Sequence, residues 1–115
     1  MKFENLRVWQ KSLEMTVIIY DITKTFPKEE LFVLTSQIKR AMDSVALNIA
    51  EGSTGNSNAE FKRFLTYSIR SGIEVIACLH IAKARKILQE DVFQKVYVDI
   101  NELIKSIQAL KNSIK

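Results

Sequence analysis

The chain has little of several residues on which protein chemistry usually depends. In 115 residues there is one cysteine, one histidine, one proline and three glycines. Cys78 alone forms neither an intrachain disulfide nor a thiolate metal cluster. His80 has no glutamate three positions before it, so the paired Glu-x-x-His ligands of helical di-metal sites are excluded. Zinc would need further Cys or His ligands. On a helix, Cys78 and His80 face different directions, which removes a Cys–His catalytic pair. Neither GxGxxG nor GxxxxGK occurs, so no glycine-rich phosphate loop is present. These absences predict no enzyme, metal or cofactor.

Long apolar runs are missing too. Val17-Ile18-Ile19-Tyr20 is among the longest, far below the ~20 residues of a membrane span. Charges break up the first residues before any leader-like segment forms, so a cytosolic protein that avoids the membrane is expected. Charge of one sign is scarce as well: 17 Lys and Arg against 13 Asp and Glu give +4, which permits a polyanionic partner without demanding one. Few Gly and Pro leave room for long regular elements within one domain over residues 1–115.

What is present is helical periodicity. The first block carries Leu6, Trp9, Leu13, Val17 and Tyr20 on one stripe, widened by Ile18 and Ile22, and stops near Phe26-Pro27. Pro27 suits the first turn of a second helix whose core stripe is Leu31, Leu34, Ile38, Ala41, Val45 and Ile49. Gly52 sits where a left-handed residue would end that helix. Ser57-Asn-Ala-Glu60 has capping-box spacing and opens a third helix through Phe61, Phe64, Leu65, Val75, Ile76 and Leu79 to near Leu88. Phe93, Val96, Ile100, Leu103, Ile107, Leu110 and Ile114 step 3, 4, 3, 4, 3, 4, the seam of a fourth. Four amphipathic helices with short links give an all-α, antiparallel up-down-up-down four-helix bundle. Two hairpins are too few for a capped helical array.

Polar residues in register supply the candidate sites. Gln37, Arg40, Ser44, Asn48 and Glu51 share a stripe on the second helix; Arg63, Tyr67, Arg70 and Glu74 share one on the third. Antiparallel pairing would set Arg40 opposite Glu74 and Glu51 near Arg63. Arg40, Ser44, Asn48, Glu51 and Glu74 are thus the candidate structural polar network, and two solvated faces are the plain alternative. Ser68, Ser71 and Gly72 place small residues beside the third seam, suiting close approach of another backbone from this bundle or a second subunit. Lys39, Lys62, Arg63, Arg70, Lys83, Arg85 and Lys86 are the candidates for nucleic-acid contact, although a helix C-terminus favours the last three on dipole grounds alone. No aromatics interleave with them as a stacking platform would need.

Several stretches together resemble one family. They are Phe3-x-x-Leu6-x-Val8-Trp9-Gln10, then Phe26-Pro27-x-Glu29-Glu30-x-Phe32-x-Leu34-x-x-Gln37-Ile38-x-Arg40-Ala41, then Ser44-Val45-x-x-Asn48-Ile49-Ala50-Glu51-Gly52, Glu60-Phe61-x-x-Phe64-Leu65 and Ser71-x-x-Glu74. The chain is similar to the bacterial four-helix bundle proteins found as reading frames in intervening sequences of 23S ribosomal RNA genes. It is also similar to the accessory variability proteins of diversity-generating retroelements. The resemblance implies a bundle, often a ring-shaped homopentamer, with RNA as one partner and another protein, such as a reverse transcriptase, as the alternative. One departure is Arg70-Ser71 where the family usually has Gly-Ser, which adds positive charge at a helix approach.

Overall fold

In the computed structural model, which describes residues 2–115, the chain forms four α-helices. They are α1 (Arg7–Thr23), α2 (Leu34–Ser53), α3 (Asn58–Ala84) and α4 (Glu90–Ser113), joined by short connections. A 3-10 turn, Phe3–Asn5, precedes α1, and another, Lys28–Glu30, follows Pro27. The bundle measures 43 × 24 × 19 Å, and its long axis matches a 27-residue helix rising about 1.5 Å per residue. The α2–α3 contact is the most extensive, and α1 touches α4 only sparsely. By length and composition alone α3 would pass for a membrane span; here it packs between α2 and α4.

The expected seams of α2, α3 and α4 form the core: Ile38, Val45 and Ile49, then Leu65, Val75 and Leu79, then Phe93, Ile100 and Ile107 are buried. The expected stripe of α1 does so only in part: Leu6, Trp9, Ile18 and Ile22 pack, partly buried, against the core. Its buried face is Val8, Ser12, Met15, Ile19 and Thr23, while Leu13, Val17 and Tyr20 are exposed. The reason is that α1 is apolar on both sides. The inner side carries two hydroxyls, which bond to their own helix: Ser12 Oγ donates to Trp9 O (2.7 Å) and Thr23 Oγ1 to Tyr20 O (2.9 Å). So satisfied, they are buried at little cost and permit close packing.

Three boundaries also differ from expectation. After Pro27 the chain makes its 3-10 turn and enters α2 only at Leu34, because Val33 (φ −120°, ψ −100°) lies outside helical space. Leu31 therefore leaves the core stripe and is half exposed. Gly52 is not left-handed; it lies within α2, and its value is space. A Cβ there would meet Phe64 Cβ at 2.6 Å. Helix α3 ends at Ala84 rather than near Leu88, closed by a Schellman turn in which Ile87 N–H reaches Ala82 O (3.1 Å) and Lys86 N–H reaches Lys83 O (3.0 Å). Lys86 supplies the left-handed residue, at φ 63°. At the other end of α3, Ser57 Oγ accepts the Glu60 N–H (3.1 Å), as the capping spacing predicts.

Candidate interaction surfaces

The polar rows of α2 and α3 meet along a shallow cleft lined by Gln37, Arg40, Ser44, Ser71 and Glu74. At its closest approach Ser44 and Ser71 share a hydroxyl–hydroxyl bond (2.9 Å), and beneath it the buried Ser68 Oγ donates to Val45 O (2.8 Å). Ser68, Ser71 and Gly72 thus serve a tight crossing within one bundle; a Cβ at Gly72 would meet Ile104 Cγ1 at 2.8 Å. Asn48 Nδ2 donates to Ser44 O (2.8 Å) and Ser44 Oγ (3.0 Å), joining the Ser44–Ser71 pair from the α2 side. Glu74 accepts from Gln37 Nε2 (3.0 Å).

The expected ion pairs across this seam do not form. Among the described residues Arg40 and Glu51 have no ionic partner, and Arg63 turns to Glu60 on its own helix (3.9 Å). Glu60 is one turn from Arg63, and the neutral Gln37 amide reaches Glu74 first. The seam is therefore hydroxyl and amide chemistry. Two single substitutions should separate its members. Asn48→Ala, which removes two bonds from a half-buried position, should lower stability by about 0.5–1 kcal/mol after the better helix propensity of alanine is counted. Glu51→Ala, at an exposed position without a partner, should stay within about 0.5 kcal/mol. Urea denaturation of both variants checks the order; a larger loss for Glu51→Ala would overturn the assignment.

The seven candidate cations do not converge on one patch. Lys39 lies on the α1 side of α2, its Nζ 3.9 Å from the centre of the Tyr20 ring. Arg63 and Arg70 stand two turns apart on exposed positions of α3, with Lys62 half-buried beside them. Lys83 bonds Glu90 (2.9 Å), a contact that holds the Glu90 carboxyl below its usual range, with the Gln94 amide adding to it. Arg85 Nη1 donates to both Glu30 carboxylate oxygens (3.0 Å each), tying the end of α3 to the α1–α2 connection. Lys86 is exposed in the Schellman turn. Lys39, Lys62, Arg70 and Lys86 have no ionic partner among the described residues, but they are spread over the bundle rather than gathered at one place.

The surface feature that periodicity did not locate is apolar. Leu13, Val17 and Tyr20 form a solvent-facing row on α1, 47, 57 and 50% exposed, and Leu47 on α2 is 65% exposed. Tyr20 and Leu31 line one groove with Lys39, and Phe32 beyond it is 88% exposed. A helix apolar on both sides is normally covered on both. The signal was present in the sequence as a second stripe on α1, Val8–Met15–Ile19, competing with the first.

Chemistry has less to work with. The largest cleft, between the end of α1 and the α3–α4 turn, is lined by Ile22, Pro27, Ile87, Leu88 and Val92 and has one ionisable neighbour, Lys86. His80 is exposed and packs edge-on to Phe93 (5.0 Å between ring centroids). Among the described residues no three His, Cys, Asp or Glu side chains gather as metal ligands do.

Comparison with known proteins agrees with this architecture. The family described as 23S rRNA-intervening sequence protein matches residues 4–109. Among solved structures, a protein of unknown function from the S23 ribosomal protein family of Bacteroides thetaiotaomicron superposes with a TM-score of 0.85. It is 24% identical, and the alignment covers 92% of this chain and 99% of that one. None of the curated proteins matches.

Proposed function

Starting from the fact that the chain belongs to the 23S rRNA-intervening sequence protein family, we propose that it is a non-catalytic, self-associating helical bundle that holds RNA on the cationic surface of the assembly. The observation that carries this reading is the outer row of α1. Leu13, Val17 and Tyr20 face solvent while Val8, Met15 and Ile19 already fill the inner row, so the bundle leaves open a second apolar row on the same helix. Leu31, Phe32, Val33 and Leu47 are further large apolar side chains exposed on α2 and the α1–α2 connection, and a contiguous apolar surface of that kind marks interaction sites. Self-association also answers the thin charge of one copy. A net charge of +4 is weak by itself, and repetition multiplies the phosphate contacts that a polyanion sees.

The test joins both halves. The wild-type mass, read by light scattering at about 100 µM, should exceed that of one chain, since interfaces of micromolar affinity are populated there. Affinity for structured ribosomal RNA should fall steeply as salt rises. Leu13→Gln with Val17→Gln, which keeps every charge, should yield a monomer whose RNA affinity drops at least about tenfold. An assembled wild type that binds no RNA at low salt would leave the second reading, an adaptor for another polypeptide. That reading is favoured by Lys83 and Arg85 being engaged with Glu90 and Glu30.

A further inference from the structure

The cleft at the end of the bundle lies apart from the outer row of α1. It encloses about 560 Å³, the size of a small-ligand site, between Ile22 and Pro27 on one side and Ile87, Leu88 and Val92 on the other. Helix α1 touches α4 only sparsely, so the end of one and the start of the other stand apart and the cleft stays open. Ile22, Ile87 and Val92 pack against the core on one side and leave the other to the cleft. Lys86 stands at its rim because of its backbone. The chain reverses through this residue at φ 63°, closing the turn in which Ile87 N–H reaches Ala82 O. Glycine takes that conformation without strain. With lysine there, the turn sets an ammonium group on a flexible stem beside apolar walls, and backbone strain next to a cavity is a mark of function.

The charges around the rim leave Lys86 free. Glu90 is held by Lys83, Glu30 by Arg85 and Asp21 by Lys24, and Asp91 Oδ1 accepts the Val92 N–H at the start of α4. Lys28 and Glu29, both exposed beside Pro27, offset one another. Lys86 is the one ionisable group that lines the cleft, and it has no ionic partner among the described residues. The polar neighbours differ in what they offer. Thr25 has committed its proton to Ile22 O (2.7 Å), whereas the Gln89 side chain caps nothing at the start of α4 and keeps its amide for a ligand. We propose that this cleft binds a small amphiphile with one anionic head, a medium-chain carboxylate. Its apolar body lies against Ile22, Ile87, Leu88 and Val92, and its carboxylate accepts from Lys86 Nζ and the Gln89 amide. A neutral apolar molecule would leave the cation at the rim unanswered; a bare inorganic anion would leave the walls unfilled.

Decanoate titrated into the full chain tests this. It should shift the backbone amides of Ile22, Ile87, Leu88, Gln89 and Val92 in proton–nitrogen correlation spectra, with a Kd below about 1 mM. Acetate lacks the chain and decyltrimethylammonium reverses the charge; each should bind at least about tenfold more weakly. Lys86→Gly separates binding from folding. Relief of the left-handed strain should raise its urea midpoint, while loss of the ammonium should weaken decanoate at least about tenfold. Lys86→Met, which keeps a stem without the charge, should weaken it as much. Wild-type affinity in either variant would make the cleft an unspecific apolar surface and overturn the proposal. Shifts gathered instead at Leu13, Val17 and Tyr20 would place the amphiphile on the outer row of α1 and overturn it too, as would a spectrum that decanoate leaves unchanged.

Discussion

Gly52→Leu should lower the stability of the bundle by more than about 3 kcal/mol, and Gly52→Ala by about 1–2 kcal/mol. The smaller figure is the more telling. Alanine in a helix gains up to about 1 kcal/mol over glycine by propensity, so the exchange should be favourable if nothing stood in the way. What stands in the way is Phe64 Cβ, 2.6 Å from where the new methyl would sit, with Phe61 Cδ1 at 3.1 Å. Phe64 Cβ is fixed to the α3 backbone, so it cannot swing aside; α2 and α3 must part at the end of their contact. Gly72 makes the control. There the nearest atoms are Ile104 Cγ1 (2.8 Å) and Cδ1 (3.0 Å), in a side chain that can change rotamer. Gly72→Ala should therefore fall within about 1 kcal/mol of wild type. Denaturant midpoints at constant slope compare the three, and a raised midpoint for Gly52→Ala would refute the close approach.

Cys78 in the native protein should react with iodoacetamide at pH 8 at least about a thousand times more slowly than in the urea-unfolded chain. The side chain is 3% exposed on α3, and two effects raise its thiol pKa: burial first, then the Glu74 carboxylate one turn away. Since the thiolate is the nucleophile, both work against reaction, and alkylation waits for opening of the helix. The linkage sign follows. The folded state holds the thiol proton to higher pH than the unfolded chain, so the stabilisation is complete below the ordinary thiol value of 9.0 and is lost as pH rises through the raised one. The decline of the urea midpoint above pH 9 should be shallower in Cys78→Ala. Rapid native alkylation would show that residue 78 is not in the core.

How much of this could be read beforehand differs helix by helix, and the reason is the number of apolar faces. Helix α4 has one, so its heptad steps name the buried Phe93, Val96, Ile100, Leu103 and Ile107 directly. Helix α1 has two, and periodicity selects the row of Leu13, Val17 and Tyr20, whereas the core accepts Val8, Met15 and Ile19 with the small hydroxyls between them. Gly52 shows a similar ambiguity. A glycine near a helix end suits either a left-handed turn or a close neighbour, and only the position of Phe64 distinguishes them. The polar rows of α2 and α3 could be placed on facing sides by register alone. Which atoms pair within them depends on reach, and short serines at the crossing close the gap before Arg40 or Glu51 comes into play. Lys86 in a left-handed conformation carries no sequence signal of its own.

The thin boundary between α1 and α4 has a consequence for how the molecule comes apart. Local opening begins where the fewest packed contacts must be broken, and α1 is bound firmly along one flank only, to α2. Its amides would exchange with deuterium before those of α2 and α3, as a separate cooperative unit. A copy docked on the outer row of α1 would clamp a helix that the monomer holds along one flank only. The rigidity of the first helix would then be a property of the assembly and would rise and fall with protein concentration.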